Sequence, residues 1–144
     1  MKNSKDAPPV ASAPHLLVGR AGEDAAIELL RKKGLKVLDR NWRRGRLELD
    51  IVCSEGATLV FVEVKTRQAE GMSDPADALT PAKRRMVTKA AQAWLAAHNA
   101  WRRPCRFDVV CVRQHGLILH AEHYRHAFDF SPALGGGHTA WQPW

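Results

Sequence analysis

Apolar residues recur along this chain with two different periods, and the switches between them mark its elements. From about Leu16 to Lys33, Ala26, Ile27 and Leu30 fall on one helical stripe, and Gly34 follows as a stop. "KVLDRN" then reads as a strand, followed by a basic connection, "WRRGR". The segment "LELDIVCSEGATLVFVEVKTR", from Leu47 to Arg67, reads as two strands around a turn at "SEGA". Helical spacing returns after Thr80, a plausible N-cap, with Pro81 at the first helical position. Met86, Val87, Ala90, Ala91, Trp94 and Leu95 form its apolar face. "RFDVVCV" and "LILHAEH" complete the series as strands around "RQHG". The order α-β-β-β-α-β-β predicts an α/β fold, a mixed sheet flanked by helices.

Three acids interrupt the Leu47–Arg67 hairpin, although a pleated, half-buried surface suits β-branched and aromatic residues better. Strand alternation puts Glu48 and Asp50 on one side, and Leu47, Leu49 and Ile51 on the other. In the second strand Phe61, Glu63 and Lys65 share a side, opposite Val60, Val62 and Val64. With "EG" at the turn centre, residue 48 faces 63 and 50 faces 61; a four-residue loop pairs Asp50 with Glu63 instead. Either register gathers Glu48, Asp50, Glu63 and Lys65 on one face, and facing carboxylates repel unless a cation compensates.

A divalent metal is one such cation, because magnesium takes one or two carboxylates plus waters and phosphate oxygens. Lys65 beside the pair could offset phosphate charge or orient and activate a water. That equipment suits phosphodiester hydrolysis. The commoner use of such a face is a solvated ladder of ion pairs, here with Arg46, Lys65 and Arg67 neutralising the acids. Glu23 lies on the first helix's apolar stripe, so it should face the sheet, as a further ligand or a water-orienting group. Its ordinary alternative is a carboxylate near a helix N-terminus.

The 144 residues, 45% of them hydrophobic, suit one compact domain over about residues 15–130. Residues 1–14 read as a flexible leader and 131–144, with three consecutive glycines, as a tail. The formal net charge of +7 favours polyanionic partners, nucleic acid before an anionic membrane. Arg43, Arg44 and Arg46 precede the acidic strand; Lys83, Arg84 and Arg85 open the second helix; Arg102, Arg103 and Arg106 precede the fourth strand. Such clusters could grip phosphates, with Trp42 and Trp101 stacking on unpaired bases, or form a solvated rim. Cys53, Cys105 and Cys111 lack CxxC spacing and read as reduced, structural thiols. No signal-like segment and no run of 18 apolar residues occurs, so a cytoplasmic protein without a membrane partner is expected. The histidines of "HAEHYRH" lie on a strand, where their three-residue spacing does not suit metal ligation.

"GRAGEDAA", "LDRNWR", "LELDIV", "VFVEVKTR" and "RFDVV", in this order, resemble the YraN-like family of predicted endonucleases. That family is similar to archaeal Holliday-junction resolvases and the wider restriction-endonuclease-like nucleases with a PD-(D/E)xK motif. The likeness covers about residues 16–130. It implies a restriction-endonuclease-like mixed sheet and a Mg2+ site, with Mn2+ as substitute. By motif, Asp50 stands for the motif Asp, Glu63 and Lys65 for the Glu-x-Lys, and Glu23 for the helix Glu of resolvases. Glu48 falls in the family's "GEIDLI" segment as a further metal ligand, and Leu47 replaces its usual Gly. Lys83 and Arg67 match positions suited to phosphate contact, and Asp108 one suited to structural pairing. The resemblance implies a metal-dependent endonuclease of DNA rather than RNA, acting on branched or damaged substrates, and a homodimer. The alternative is a nucleic-acid-binding module with the same fold and no turnover.

Overall fold

The structure, a computed structural model, describes residues 14–68 and 79–128. Two helices and five strands follow in the expected order: α1 (Pro14–Lys32), β1 (Lys36–Arg44), β2 (Leu47–Glu55), β3 (Thr58–Gln68), α2 (Pro81–Ala97), β4 (Cys105–His115) and β5 (Ile118–Phe128). The expected leader and tail lie outside the described residues, except that Pro14 already opens α1. Among the described residues no helix is long and apolar enough to cross a membrane.

Helix α1 ends where Gly34 adopts φ 92° and hydrogen bonds from Gly34 N–H to Arg31 O and from Leu35 N–H to Leu30 O close the last turn. Helix α2 begins where Thr80 Oγ1 accepts the Lys83 N–H at 3.1 Å, with Pro81 supplying a residue that needs no partner for its nitrogen. The five strands form one sheet in the order β1-β2-β3-β4-β5. Only β3 and β4 are parallel, because α2 carries the chain back across the sheet between them; the other neighbours are antiparallel hairpins.

Each face of the sheet is covered by one helix. Ala26, Ile27 and Leu30 of α1 pack with Ile51, Cys53, Val60, Val62, Val110 and Val112. On the other face Val87, Ala90, Ala91, Trp94 and Leu95 of α2 pack with Leu49, Val52, Phe61, Phe107 and Val109. Met86, expected on the apolar face of α2, is instead exposed. The central strands β3 and β4 are therefore apolar on both sides, as a sheet sandwiched between helices requires. Helix α1 lies close on β3 at Gly22, where a Cβ would collide with Thr66 Oγ1.

Two details of the sheet differ from the sequence expectation, and both bear on the carboxylates. Trp42, Arg43 and Arg44 belong to β1 rather than to a connection, leaving Gly45–Arg46 as the turn. The β2–β3 turn is Gly56–Ala57, with Glu55 opposite Thr58 and Ile51 opposite Val62. That shorter loop yields the register a four-residue loop would have produced, and its next step sets Asp50 opposite Glu63. Gly56 supplies the left-handed φ of 61° that a two-residue hairpin loop needs.

Candidate functional site

The β2–β3 ladder stops at Ile51 and Val62. From there towards its N-terminus β2 pairs only with β1, while β3 continues beside β4 as far as Gln68. The two strands part, and Asp50 stands at the fork. Its carboxylate replaces the missing strand partner, Oδ2 accepting the Val64 N–H at 2.9 Å. Glu63 sits across the fork and is only 5% exposed, with its Oε2 3.4 Å from Lys83 Nζ at the start of α2. Lys65, two residues along the same strand face, is half-buried and acts electrostatically on both carboxylates.

Burial raises both acids above the ordinary carboxylate range. For Asp50, desolvation is the largest cause; the Val64 N–H opposes it, and the Glu23 carboxylate adds to the rise. For Glu63, desolvation and then the Asp50 charge push the carboxyl up to about 7 against Lys83 and Lys65. A half-buried and a buried carboxylate with insufficient compensation are a donor set for a hard cation. Among the described residues, no three His, Cys, Asp or Glu side chains gather as a cage. Magnesium needs no such cage, since it completes its shell with waters and phosphate oxygens. Asp50 and Glu63 fit that manner of holding a metal.

Glu48 does not join them. Leu47 and Leu49 pack on the α2 side, whereas Ile51 packs on the α1 side, so alternation breaks at Asp50. The break sends Glu48 to the face opposite Glu63. There it is exposed and lies 3.6 Å from Arg43 across the β1–β2 hairpin. The expectation that Glu48, Asp50 and Glu63 share one face is corrected by this local reversal.

Asn41 marks the same reversal on β1. The pairs Arg40–Ile51 and Trp42–Leu49 place it opposite Asp50, and its φ of 54° is left-handed. Asn tolerates that conformation better than most residues. As a result Arg40 points to α1, where it meets Asp24 at 2.9 Å, while Trp42 packs on the α2 side. The Asn41 amide donates to Glu23 Oε1 at 3.1 Å, and Arg40 lies 3.7 Å from the same oxygen. Glu23 is thereby held beside the fork, close enough to raise Asp50. Sequence reasoning named Glu23 but missed Asn41; a lone Asn inside "DRNWR" was the available signal.

The basic residues divide between the two ends of the sheet. Because β3 and β4 are parallel, the turn Gly45–Arg46, the C-terminal end of β3 and the start of α2 lie at the carboxylate end. Arg43, Arg44, Arg46, Arg67, Lys83 and Arg84 belong there. Arg44 stands over the Trp42 ring at 5.6 Å, Arg84 over the Phe128 ring at 5.5 Å, and Arg46 and Arg67 are exposed. The third cluster is at the opposite end. Arg103 donates to Ala57 O at 3.0 Å, and Arg106 is buried against Asp108 and Glu55.

That opposite end is a structural clamp. Asp108, fully buried, accepts from Arg106 at 3.0 Å and from the His126 N–H at 3.0 Å, with His123 Nε2 at 2.7 Å. Burial pushes its carboxyl up, but these three donors outweigh it and hold it below the usual range. Glu55 joins Arg106 at 2.7 Å and Arg125 at 2.8 Å, linking β2, β4 and β5 beyond the end of β3. The thiols of Cys53 and Cys111 are buried, and Cys53 is pushed up to about 12, which makes it a poor nucleophile.

Residues 22–112 match the family model described as "Uncharacterised protein family UPF0102". The chain belongs to this family. It is 56% identical over 126 residues to a UPF0102 protein of Nitratidesulfovibrio vulgaris (strain DP4), covering 88% of this chain and 94% of the relative. A UPF0102 protein of Lawsonia intracellularis is 46% identical over 127 residues, covering 88% and 96%. One of Rhodococcus opacus is 42% identical over 117 residues, covering 81% and 99%. The UPF0102 match encloses Glu23, Asn41, Asp50, Glu63, Lys65 and Lys83, so the fork and its surroundings all lie within the family region.

Proposed function

We propose that this UPF0102 protein is a metal-dependent endonuclease that hydrolyses phosphodiester bonds in DNA. The observation that carries this reading is the fork between β2 and β3, where the half-buried Asp50 and the buried Glu63 stand together beside two lysines. A purely structural strand end has no need to hold two acids that repel against each other. The motif likeness to YraN-like and resolvase-type nucleases supports the same residues, and branched or damaged DNA is the substrate class it suggests.

In this reading Asp50 and Glu63 would hold Mg2+, or Mn2+ in its place. The ion would polarise the phosphoryl oxygen and lower the pKa of a bound water. Lys65 holds the attacking water and offsets charge that builds on the phosphate. Glu23, fixed by Asn41, orients water from the α1 side. The exposed Arg46 and Arg67, together with Arg43, Arg44, Lys83 and Arg84, give the carboxylate end of the sheet its positive charge. Contacts from them to phosphates position a duplex without reading its bases.

The test is cleavage of supercoiled, single-stranded, flap and four-way-junction DNA with Mg2+ or Mn2+, with Lys65→Ala alongside. Wild type cleaves and Lys65→Ala loses at least about a hundredfold in rate, the scale of one electrostatic or proton-handling group. Equal cleavage by both proteins would remove Lys65 from the chemistry. One observation favours a second reading, a binding module without turnover: Asp50 and Glu63 each already have a partner, the Val64 N–H and Lys83. Nucleic-acid binding that persists with a chelator, without product in any metal, would decide for it.

A further inference from the structure

Lys83 occupies a position that its own helix does not explain. Thr80 and Pro81 fix it in the first turn of α2, a turn that holds no acid and is followed by Arg84 and Arg85. Positive side chains at the positive end of a helix dipole are unfavourable. What compensates Lys83 is Glu63, 3.4 Å away on β3. The charges acting at the fork are then Asp50 and Glu63, with Glu23 beside them on Arg40 and Asn41, and two ammoniums, Lys65 and Lys83. A divalent cation added there brings two positive charges beside an ammonium that already holds one of its ligands.

We propose that Lys83 is the built-in counter-ion of the site: it competes with the divalent cation for Glu63 and passes to the substrate phosphate when the cation binds. Lys83 is 41% exposed, so its long stem can swing from Glu63 towards bound phosphate without unfolding anything. The positive dipole end of α2 favours the same anion. Nucleic acid and cation then favour each other, because each relieves a charge conflict the other creates. This rests on the metal-site reading and goes beyond it by giving Lys83 a switching role distinct from that of Lys65.

The test pairs two binding measurements on wild type, Lys83→Met and Lys83→Arg, neither of which depends on turnover. Mn2+ alone is titrated calorimetrically, and a labelled DNA duplex is titrated in saturating Ca2+, so that the carboxylates are occupied and Lys83 is released to phosphate. Lys83→Met binds Mn2+ about tenfold more tightly, the scale of one nearby charge, and binds the duplex several-fold more weakly. Lys83→Arg stays near wild type in both. Opposite signs in the two titrations are a signature that misfolding cannot produce. Mn2+ affinity equal to or weaker than wild type in Lys83→Met overturns the competition while leaving the metal site standing. Unchanged duplex affinity overturns the transfer to phosphate. No Mn2+ binding by any of the three proteins removes both the metal site and the role of Lys83.

Discussion

Glu63→Gln should make the protein more stable at pH 8, although it removes an ion pair. In the folded state the Glu63 carboxyl is pushed from its ordinary 4.5 up to about 7, chiefly by burial and next by Asp50. Between those values the folded protein keeps a proton that the unfolded chain releases. Stability therefore falls as pH rises from about 4.5 to about 7, and the loss is complete above that. A shift of this size, shared with Asp50, corresponds to at most about 3 kcal/mol. Gln has nearly the same shape and no charge to lose. Urea unfolding followed by tryptophan fluorescence should give similar stabilities for the two proteins at pH 4, and a gap of about 1 to 3 kcal/mol in favour of Gln at pH 8. Mg2+ should narrow the gap by stabilising wild type alone. Parallel curves from pH 4 to pH 8, or a less stable Gln variant at pH 8, would refute the claim that the buried pair is strained.

Two further substitutions test the frame around the fork. Gly22→Ala forces its new Cβ onto the stiff Thr66 side chain, so it should cost about 1 to 3 kcal/mol in urea unfolding. Adding Thr66→Ala should recover most of that; no recovery would mean the close approach of α1 to β3 is not what Gly22 provides. Asp108→Asn leaves the buried Arg106 without its carboxylate and should cost about 3 to 5 kcal/mol, while Mn2+ binding at the other end of the sheet stays within about twofold in protein that remains folded. A loss below about 1 kcal/mol would show that Glu55 alone suffices for Arg106.

Periodicity in the sequence determined the elements, their order and most of the core. Ala26, Ile27 and Leu30 could face only one way on a helix, and Val60, Val62 and Val64 only one way on a strand. Capping chemistry was equally local, so Thr80, Pro81 and Gly34 marked helix ends without reference to anything distant. The nearness of Asp50, Glu63 and Lys65 was legible from their places on neighbouring strands of one hairpin. What alternation could not foresee was its own interruption. The left-handed Asn41 and the break at Asp50 depend on β1, β2 and α1 together, and they moved Glu48 away from the pair. The parting of β2 from β3 beyond Ile51 and Val62 is likewise not written in alternation, because strand pairing is settled between whole strands. That parting leaves the Val64 N–H for Asp50, and the packing of α2 on the sheet brings Lys83 over Glu63. The parallel pairing of β3 with β4 separates Arg106, bound into the Asp108 clamp, from the basic residues at the carboxylate end. Side-chain direction is set by the backbone next door, whereas charge balance in a buried site is set by whichever distant segments the fold packs against it.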